Sequence, residues 1–494
     1  MKSDPGGVWA VVNGKHFKTE SALSISWNGT TWDEIEVANL VFNSTFNNPG
    51  DPLVTIGSGA ETYLEFDILN DTGTFSTIIR EAAAQEILYN KKVKLEYGFS
   101  GTSKVQVFEG KITDITETAD GEFIHVTTKD YGSTSLLQRR SSTSLYLNKR
   151  VDEWIEILAN EALLGFERHG YGLLTIPFLW LEDESVYEQM IKAAQAEGAI
   201  VRVEDDGKVH YYSPLFWSTD ANHATSQWEL DADTDFVALA LKGRERNQYD
   251  NIYVTYQNRY LGLNKEVYTL DRYIVIPSAP AVGTGSVRVT FKFTEPMYSF
   301  QEAEWLVTDS VGQDMTSYIS WNGRPAPSPI DGYRYAQHWD MTIDNSDTKR
   351  NAYLLKFKII GRPLIGGPDE EYKTNESSTE RIYRIASNEY IQTEEQAKAL
   401  AEMLKERFID EPRKTITLRG VKPNPLLELG DYITVTESNT GLLARGFYVT
   451  KISYKLPNGA MDLDCVDATG YFDSWNYFTF GTSHWNNADG VLFI

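Results

Sequence analysis

The acidic run D-A-D-T-D at Asp231–Asp235 is the stretch whose spacing comes nearest to a metal-ligand set, and the metal would be calcium. A calcium loop also needs glycine at its sixth place, for the sharp turn, and a bidentate glutamate at its twelfth. Those places hold Phe236 and Lys242, so the run reads as a solvated acidic turn. Glu182–Glu184 (E-D-E) offers the two carboxyl groups that glycoside hydrolysis uses. With 70 Asp and Glu in the chain, however, some acidic pair is inevitable. This one also precedes a helical pattern, where acidic side chains favour the positive end of the dipole. The seven histidines are scattered, with no H-E-x-x-H and no two at ligand spacing, and read as surface or packing residues. Neither G-x-S-x-G nor a phosphate-binding P-loop occurs. Trp27, Trp32 and Trp321 could stack on a sugar, but core or turn packing explains them more simply. The sequence therefore assigns no catalytic, cofactor-binding or metal residue.

Composition narrows the class. The chain has 494 residues, 41% of them apolar, with 12 Trp, 28 Tyr and 22 Phe. That length allows several domains with their own cores, and aromatics favour half-buried pleated surfaces. A net charge of −24 argues against a surface that holds nucleic acid by neutralising phosphates. One cysteine, Cys465, rules out an internal disulfide and cysteine-rich zinc sites. It lies in an alternating strand and reads as a small buried residue. No run approaches the 18 apolar residues of a membrane span, and the N-terminus lacks an apolar leader core. The expectation is a soluble protein made in a reducing cytoplasm.

The elements follow from periodicity. Up to about Arg140 the chain reads as β, with Val8–Val12, Ala22–Trp27 and Thr62–Leu69 as strands and Asn43–Gly59 as a loop. Apolar residues at Val151, Trp154, Ile155 and Leu158 predict a helix over Lys149–Leu164. A second spans Ser185–Glu197, with Val186, Met190 and Ala194 inward and Gly198 as a left-handed stop. A hairpin turning at Asp206-Gly207 follows. Thr393 and Gln396 form a capping box ahead of the stripe Ala397, Leu400, Ala401, Leu404 and Phe408. The Gly-Gly-Pro run from Gly366 and E-S-S-T-E read as an exit linker.

One β pattern occurs twice. Val93–Asp130 and Tyr432–Asp467 each give an alternating strand, a glycine-bearing turn, a strand containing Lys-Ile and a hairpin closed by Asp-Gly or Asn-Gly. Copies so far apart cannot be a short-period solenoid. They predict two related small closed barrels in one mainly β chain with α+β parts. The expected divisions are a first barrel at 1–140, an α+β helix–hairpin domain at 141–216 and a second barrel from 217–284 and 364–470. A β-sandwich-like insert at 285–363 and an aromatic tail at 471–494 complete the plan. The tail has eight aromatic residues and almost no charge.

In their order along the chain, four stretches resemble the hub proteins at the tip of phage tails and related injection machines. They are S-I-S-W-N-G-T-T-W-D-E-I with Y-L-E-F-D-I-L-N-D-T-G-T-F-S; V-F-E-G-K-I-T-D-I; S-V-Y-E-Q-M-I-K-A-A-Q-A-E-G-A-I-V-R-V-E-D-D-G-K-V; and the Thr393–Arg407 helix with L-L-E-L-G-D-Y-I-T-V-T and G-F-Y-V-T-K-I-S-Y. The resemblance implies a virion protein assembled in the host bacterial cytoplasm, without enzymatic activity or cofactor. It implies a homotrimeric ring in which six barrels surround a DNA channel and seat the sixfold tail tube. The distal tail protein, the end of the tape measure protein, and a fibre or spike would be its neighbours. If DNA passes without specific binding, the net charge suggests an acidic channel wall.

The rival reading is a secreted carbohydrate-binding or glycoside-hydrolysing protein. It predicts a monomer with two acids facing one another across a cleft.

Overall fold

The computed structural model describes residues 2–14, 18–46, 59–70, 90–117, 122–214, 216, 220, 225–242, 249–280, 283–322, 335–374, 381–405, 414–456 and 460–468. The Pro-rich run at 324–329, the hairpin tips at 118–121 and 457–459 and the aromatic tail lie outside these residues. The chain is mainly β, as composition and alternation predict.

Twelve strands carry the duplication. The first six are β1 (Thr19–Ser26), β2 (Val37–Phe46), β3 (Ala60–Leu69), β4 (Lys92–Phe99), β5 (Val105–Glu117) and β6 (Phe123–Asp130). The second six are β7 (Trp228–Asp231), β8 (Ala238–Lys242), β9 (Thr415–Val421), β10 (Tyr432–Glu437), β11 (Leu442–Lys455) and β12 (Met461–Asp467). The first set lies in the order β2-β3-β6-β5-β4-β1 and the second in the order β8-β9-β12-β11-β10-β7. Chain order and sheet order therefore agree strand for strand. One difference separates them: β1 runs antiparallel to β4, whereas β7 runs parallel to β10.

The registers agree as closely. Gly110 faces Asp130 and Ile112 faces Thr128; 337 residues later, Phe447 faces Asp467 and Val449 faces Cys465. Each middle strand then bulges by one residue, Thr113 or Thr450. Each bulged threonine donates its Oγ1–H across the ladder, to the carbonyl of Thr127 at 3.2 Å and of Asp464 at 2.9 Å. The equivalent of Ile112 is thus Val449. The two Lys-Ile dipeptides that stand out in sequence are not structural equivalents.

Among the described residues the expected closed barrels are not found. The two sets join edge to edge in one thirteen-stranded sheet whose path has two ends. The outer edge of β2 is taken by the distal half of β11, not by a strand of its own set. Apolar residues of both sets share one core, including Phe66, Leu95, Phe108 and Val126 from the first and Leu418, Val435, Phe447 and Leu463 from the second.

Two further cores stand beside it. The second combines the helices Val151–Glu161, Val186–Gln195 and Glu394–Lys405 with the strands Ile200–Val203, Val209–Tyr212 and Asn251–Leu261. Ser185 caps the second of these helices and Gly198, at φ 74°, ends its final turn. The capping box is formed as predicted: the Gln396 N–H donates to Thr393 Oγ1, and Thr393 N–H to Gln396 Oε1, both at 3.2 Å. Phe408 lies outside the described residues. In the third core, Phe291, Trp339 and Ile343 of one sheet pack on Leu354, Phe357 and Ile359 of another.

Three local expectations are corrected. Val8–Val12 is a single helical turn, because Asp4 accepts from the N–H groups of Gly6, Val8 and Trp9 at 2.8–3.1 Å and caps it. Asn43–Phe46 belongs to strand β2, where pairing on both sides outweighs its polar sequence. Gly366-Gly367-Pro368 is no linker but part of one strand, Ala352–Lys373. It crosses a bulge in the pairing with Asn251–Leu261, where proline need supply no ladder N–H.

Gly110 gives a sharp test of the first hairpin. A Cβ there would overlap the Lys129 carbonyl and the Phe108 ring. Gly110→Ala is expected to destabilise by about 3 kcal/mol through overpacking, read as a lower urea midpoint.

Candidate assembly surface

The junction between the two sets shows how one meets the other. A β-bulge bends and twists its strand, and the bulge at Thr450 divides β11 in two. Its first half pairs with β10, and Lys451–Lys455 pair antiparallel with Thr45–Val41 of β2. The Leu456 N–H donates to the Leu40 carbonyl at 2.8 Å and extends the ladder. On the core side Tyr454 stacks on Phe42 at 4.5 Å and on Tyr97 at 5.2 Å, all three rings being buried.

The duplication creates a second pair of edges of the same kind. The bulge at Thr113 divides β5 in the same way, and among the described residues no strand pairs with Asp114–Thr116 on the side away from β6. The counterpart of β2 is β8, which among the described residues pairs with β9 alone. Ala238, Ala240 and Leu241 are exposed along this apolar edge, and the adjoining Val237 is 86% exposed.

The face of the sheet turned away from the core mixes charge signs. Glu61, Glu65, Asp67 and Lys129 share it with Lys451, Asp464 and Arg419. Lys129 meets Glu61 at 2.6 Å and His125 meets Asp67 at 2.8 Å.

The residues singled out for chemistry are dispersed. Asp231–Asp235 closes on itself: Asp235 accepts from the Asp231 N–H at 2.8 Å and pairs with Lys422 at 2.7 Å. Glu182 binds His338 at 2.9 Å and Asp183 binds Arg140 at 3.1 Å, so the acidic run faces different partners. Burial, reinforced by Glu389, raises the Glu184 carboxyl to about 7. Trp27 packs on the first core, Trp32 lies 5.4 Å under the Lys94 ammonium, and Trp321 stacks on Phe357 in the third core. They form no common platform. Cys465 is buried, and burial pushes its thiol well up.

Sequence spacing missed one pair. His169 and His210, on neighbouring parallel strands, bring Nε2 and Nδ1 to 2.9 Å, and Asp206 holds the other nitrogen of His210 at 3.0 Å. Burial and the neighbouring His210 lower the pKa of His169. Burial opposes the charged form of His210 as well, but Asp206 and Glu204 outweigh it and raise its pKa. The arrangement suits one proton between two rings. With Glu167 the pair offers ligand atoms within 4.8 Å of one another, and Lys208 already neutralises that carboxylate at 3.1 Å. A second acidic group, Glu204, Asp205 and Glu428, is likewise served by resident cations: Arg202 contacts Glu204 and Lys2 contacts Asp205.

No known family profile matches the chain, and no curated protein sequence is significantly similar to it. Among solved structures, the chain is similar to the 43 kDa tail protein of prophage MuSo2 from Shewanella oneidensis, at 10% identity and a TM-score of 0.49, covering 92% of this chain and 99% of that one. It is also similar to a tail protein from Neisseria meningitidis MC58, at 10% identity and 0.47, with the same coverage. A third is prophage tail protein gp18 from Listeria monocytogenes EGD-e, at 8% identity and 0.42, covering 90% of this chain and 94% of that one.

Proposed function

We propose that this chain is the structural hub of a phage tail tip or baseplate, without catalytic activity, acting as a homotrimeric ring that joins a sixfold tail tube to threefold tip parts. The observation that carries the reading is the doubled six-strand set, with one strand order and one bulged register in both copies. A protomer with two equivalent sets gives a trimer six similar faces, so a sixfold ring can seat on it without a mismatched contact. On this reading the polar face of the sheet lines the DNA channel. Its mixed signs replace the acidic wall that the net charge suggested, and paired charges there give phosphates no continuous patch to bind. The distal tail protein, the end of the tape measure protein and a fibre or spike are the proposed neighbours, with the third-core insert, Gly285–Pro363, and the aromatic tail as docking places. Mass photometry tests the assembly: the expected species has three times the 55.9 kDa chain mass. A persistent monomer at micromolar concentration would overturn the ring.

A further inference from the structure

We propose that His169, His210, Glu167 and Glu204 form a structural zinc site, placed where the helix-bearing second core meets the doubled sheet. Such a site does not depend on how copies of the chain assemble.

Strand pairing brings the ligands together. Phe166–His169 runs parallel to Val209–Tyr212, with Glu167 opposite His210 and His169 opposite Tyr212. The imidazole planes of His169 and His210 lie within 14° of one another, with ring centroids 5.2 Å apart. Nε2 of His169 is 2.9 Å from Nδ1 of His210, too close for stacked faces, so the two nitrogens point at each other. Glu204 turns its Oε1 to Arg202 and the Tyr212 hydroxyl, and its Oε2 lies 3.6 Å from the same His210 nitrogen. The ligand atoms of Glu167, His169 and His210 lie within 4.8 Å of one another.

The contacts behind the ligands fit a metal. Nε2 of His210 donates to Asp206 Oδ1 at 3.0 Å, which leaves the lone pair on Nδ1, the nitrogen that faces His169. A carboxylate in that position commonly fixes the tautomer and the ring of a ligating histidine. His169 bares Nε2 by carrying its hydrogen on Nδ1 instead, so no net proton has to leave. Tyr212 stacks on the His169 ring at 4.4 Å and Phe216 meets it edge-on at 5.4 Å, holding its plane.

Zinc suits this donor set. It takes imidazole and carboxylate ligands in a tetrahedron, at about 2.0–2.2 Å. Two nitrogens on such an ion lie roughly 3.3 Å apart, so the rings must part by roughly 0.4 Å. His169 ends a strand that, among the described residues, is paired on one side only and can yield that far. Four protein ligands close the shell, as in structural rather than catalytic sites. Lys208 pairs with Glu167 at 3.1 Å and with Asp206 at 2.8 Å; it must release the first and can keep the second. The side chains of Lys208 and Glu167 are both 45% exposed, where an ion pair contributes little. Arg202, which holds Glu204, also donates to the Leu429 carbonyl at 2.7 Å. An ion here ties the hairpin that turns at Asp206-Gly207 to the strand Phe166–His169 and stiffens its seat on the sheet.

Isothermal titration calorimetry of the untagged full chain, stripped with chelator and titrated with zinc chloride, tests the site. One zinc ion per chain is expected, with micromolar or tighter affinity. The thermal midpoint should rise with zinc concentration, because an ion that binds only the folded state stabilises it. His169→Gln and Glu167→Gln should each weaken binding at least tenfold, and Asp206→Asn about tenfold through the histidine it holds. Lys208→Ala should bind zinc more tightly, because it frees Glu167; were Glu167 only the partner of Lys208, no gain would follow. Glu167 and Lys208 are partly exposed, so their variants remain informative even if the histidine variant fails to fold. No stoichiometric binding by the parent would overturn the site. So would binding that neither Glu167→Gln nor His169→Gln weakens, since the ion would then sit elsewhere.

Discussion

Tyr454→Ala is expected to lower the stability of the shared core by about 3–5 kcal/mol, the usual range for removing a large buried aromatic side chain. The residue sits where the two strand sets meet, 4% exposed, with Phe42 on one side and Tyr97 on the other. Alanine removes both stacks and leaves a cavity that the ladders on either side of β11 cannot close. Tyr454→Phe separates ring from hydroxyl. The hydroxyl has no hydrogen-bond partner among the described residues, and an unpaired buried hydroxyl is unfavourable. The phenylalanine variant should therefore match the parent or exceed it by about 1 kcal/mol. Differential scanning calorimetry, followed in the transition of the first core, reads both changes. A phenylalanine variant as damaged as the alanine one would mean that the hydroxyl, not the stack, holds the junction.

Glu197 gives the second large effect, as a dependence on pH. Its carboxyl group is buried in the second core, accepting from the N–H groups of Leu173 and Leu174 at 2.8 and 2.9 Å and meeting the Tyr211 hydroxyl. Burial dominates these hydrogen bonds and raises the group to about 8. The folded protein thus holds a proton that the unfolded chain releases near the ordinary value of 4.5. Where the unfolded state binds fewer protons, stability falls as pH rises. The contribution of Glu197 is therefore fully present below pH 4.5, declines between 4.5 and 8, and is flat above. Glu197→Gln keeps an acceptor for the two N–H groups and a donor for Tyr211 without a charge to bury. The variant should gain on the parent steadily between pH 5 and pH 8, by several-fold or more in the folding equilibrium. Urea midpoints at matched pH measure this, and parallel curves would show that Glu197 does not titrate in that window.

Short-range features were legible in the sequence, and long-range ones were legible only where the chain repeats itself. Thr393 and Gln396 could be read as a capping box because the bonds span three residues. The turn at Asp206-Gly207 was readable because glycine there adopts φ 74°. Val8–Val12 misled, since a β-favouring run was overruled by one carboxylate four residues upstream. Gly366-Gly367-Pro368 misled for the opposite reason. Its turn-like composition is absorbed by a bulge whose partner strand lies about a hundred residues away. The duplication was visible in alternation and turns, but the equivalence of Thr113 and Thr450 was not, because a bulge is defined by its partner strand. Closure of each set was expected from its repeated alternating strands and turns. Composition could not reveal that β11 would cover the edge of β2. His169 and His210 meet through parallel pairing, and no local spacing announces that.

On the function proposed above, three copies with two equivalent strand sets each build a ring of six similar faces. Class averages of the purified protein by electron microscopy test it most directly, viewed down the symmetry axis. The expected result is a closed ring with threefold symmetry whose inner wall shows six near-equal lobes around an open channel. Particles without a channel, or rings whose inner wall has three lobes of one kind and no second set, would contradict it.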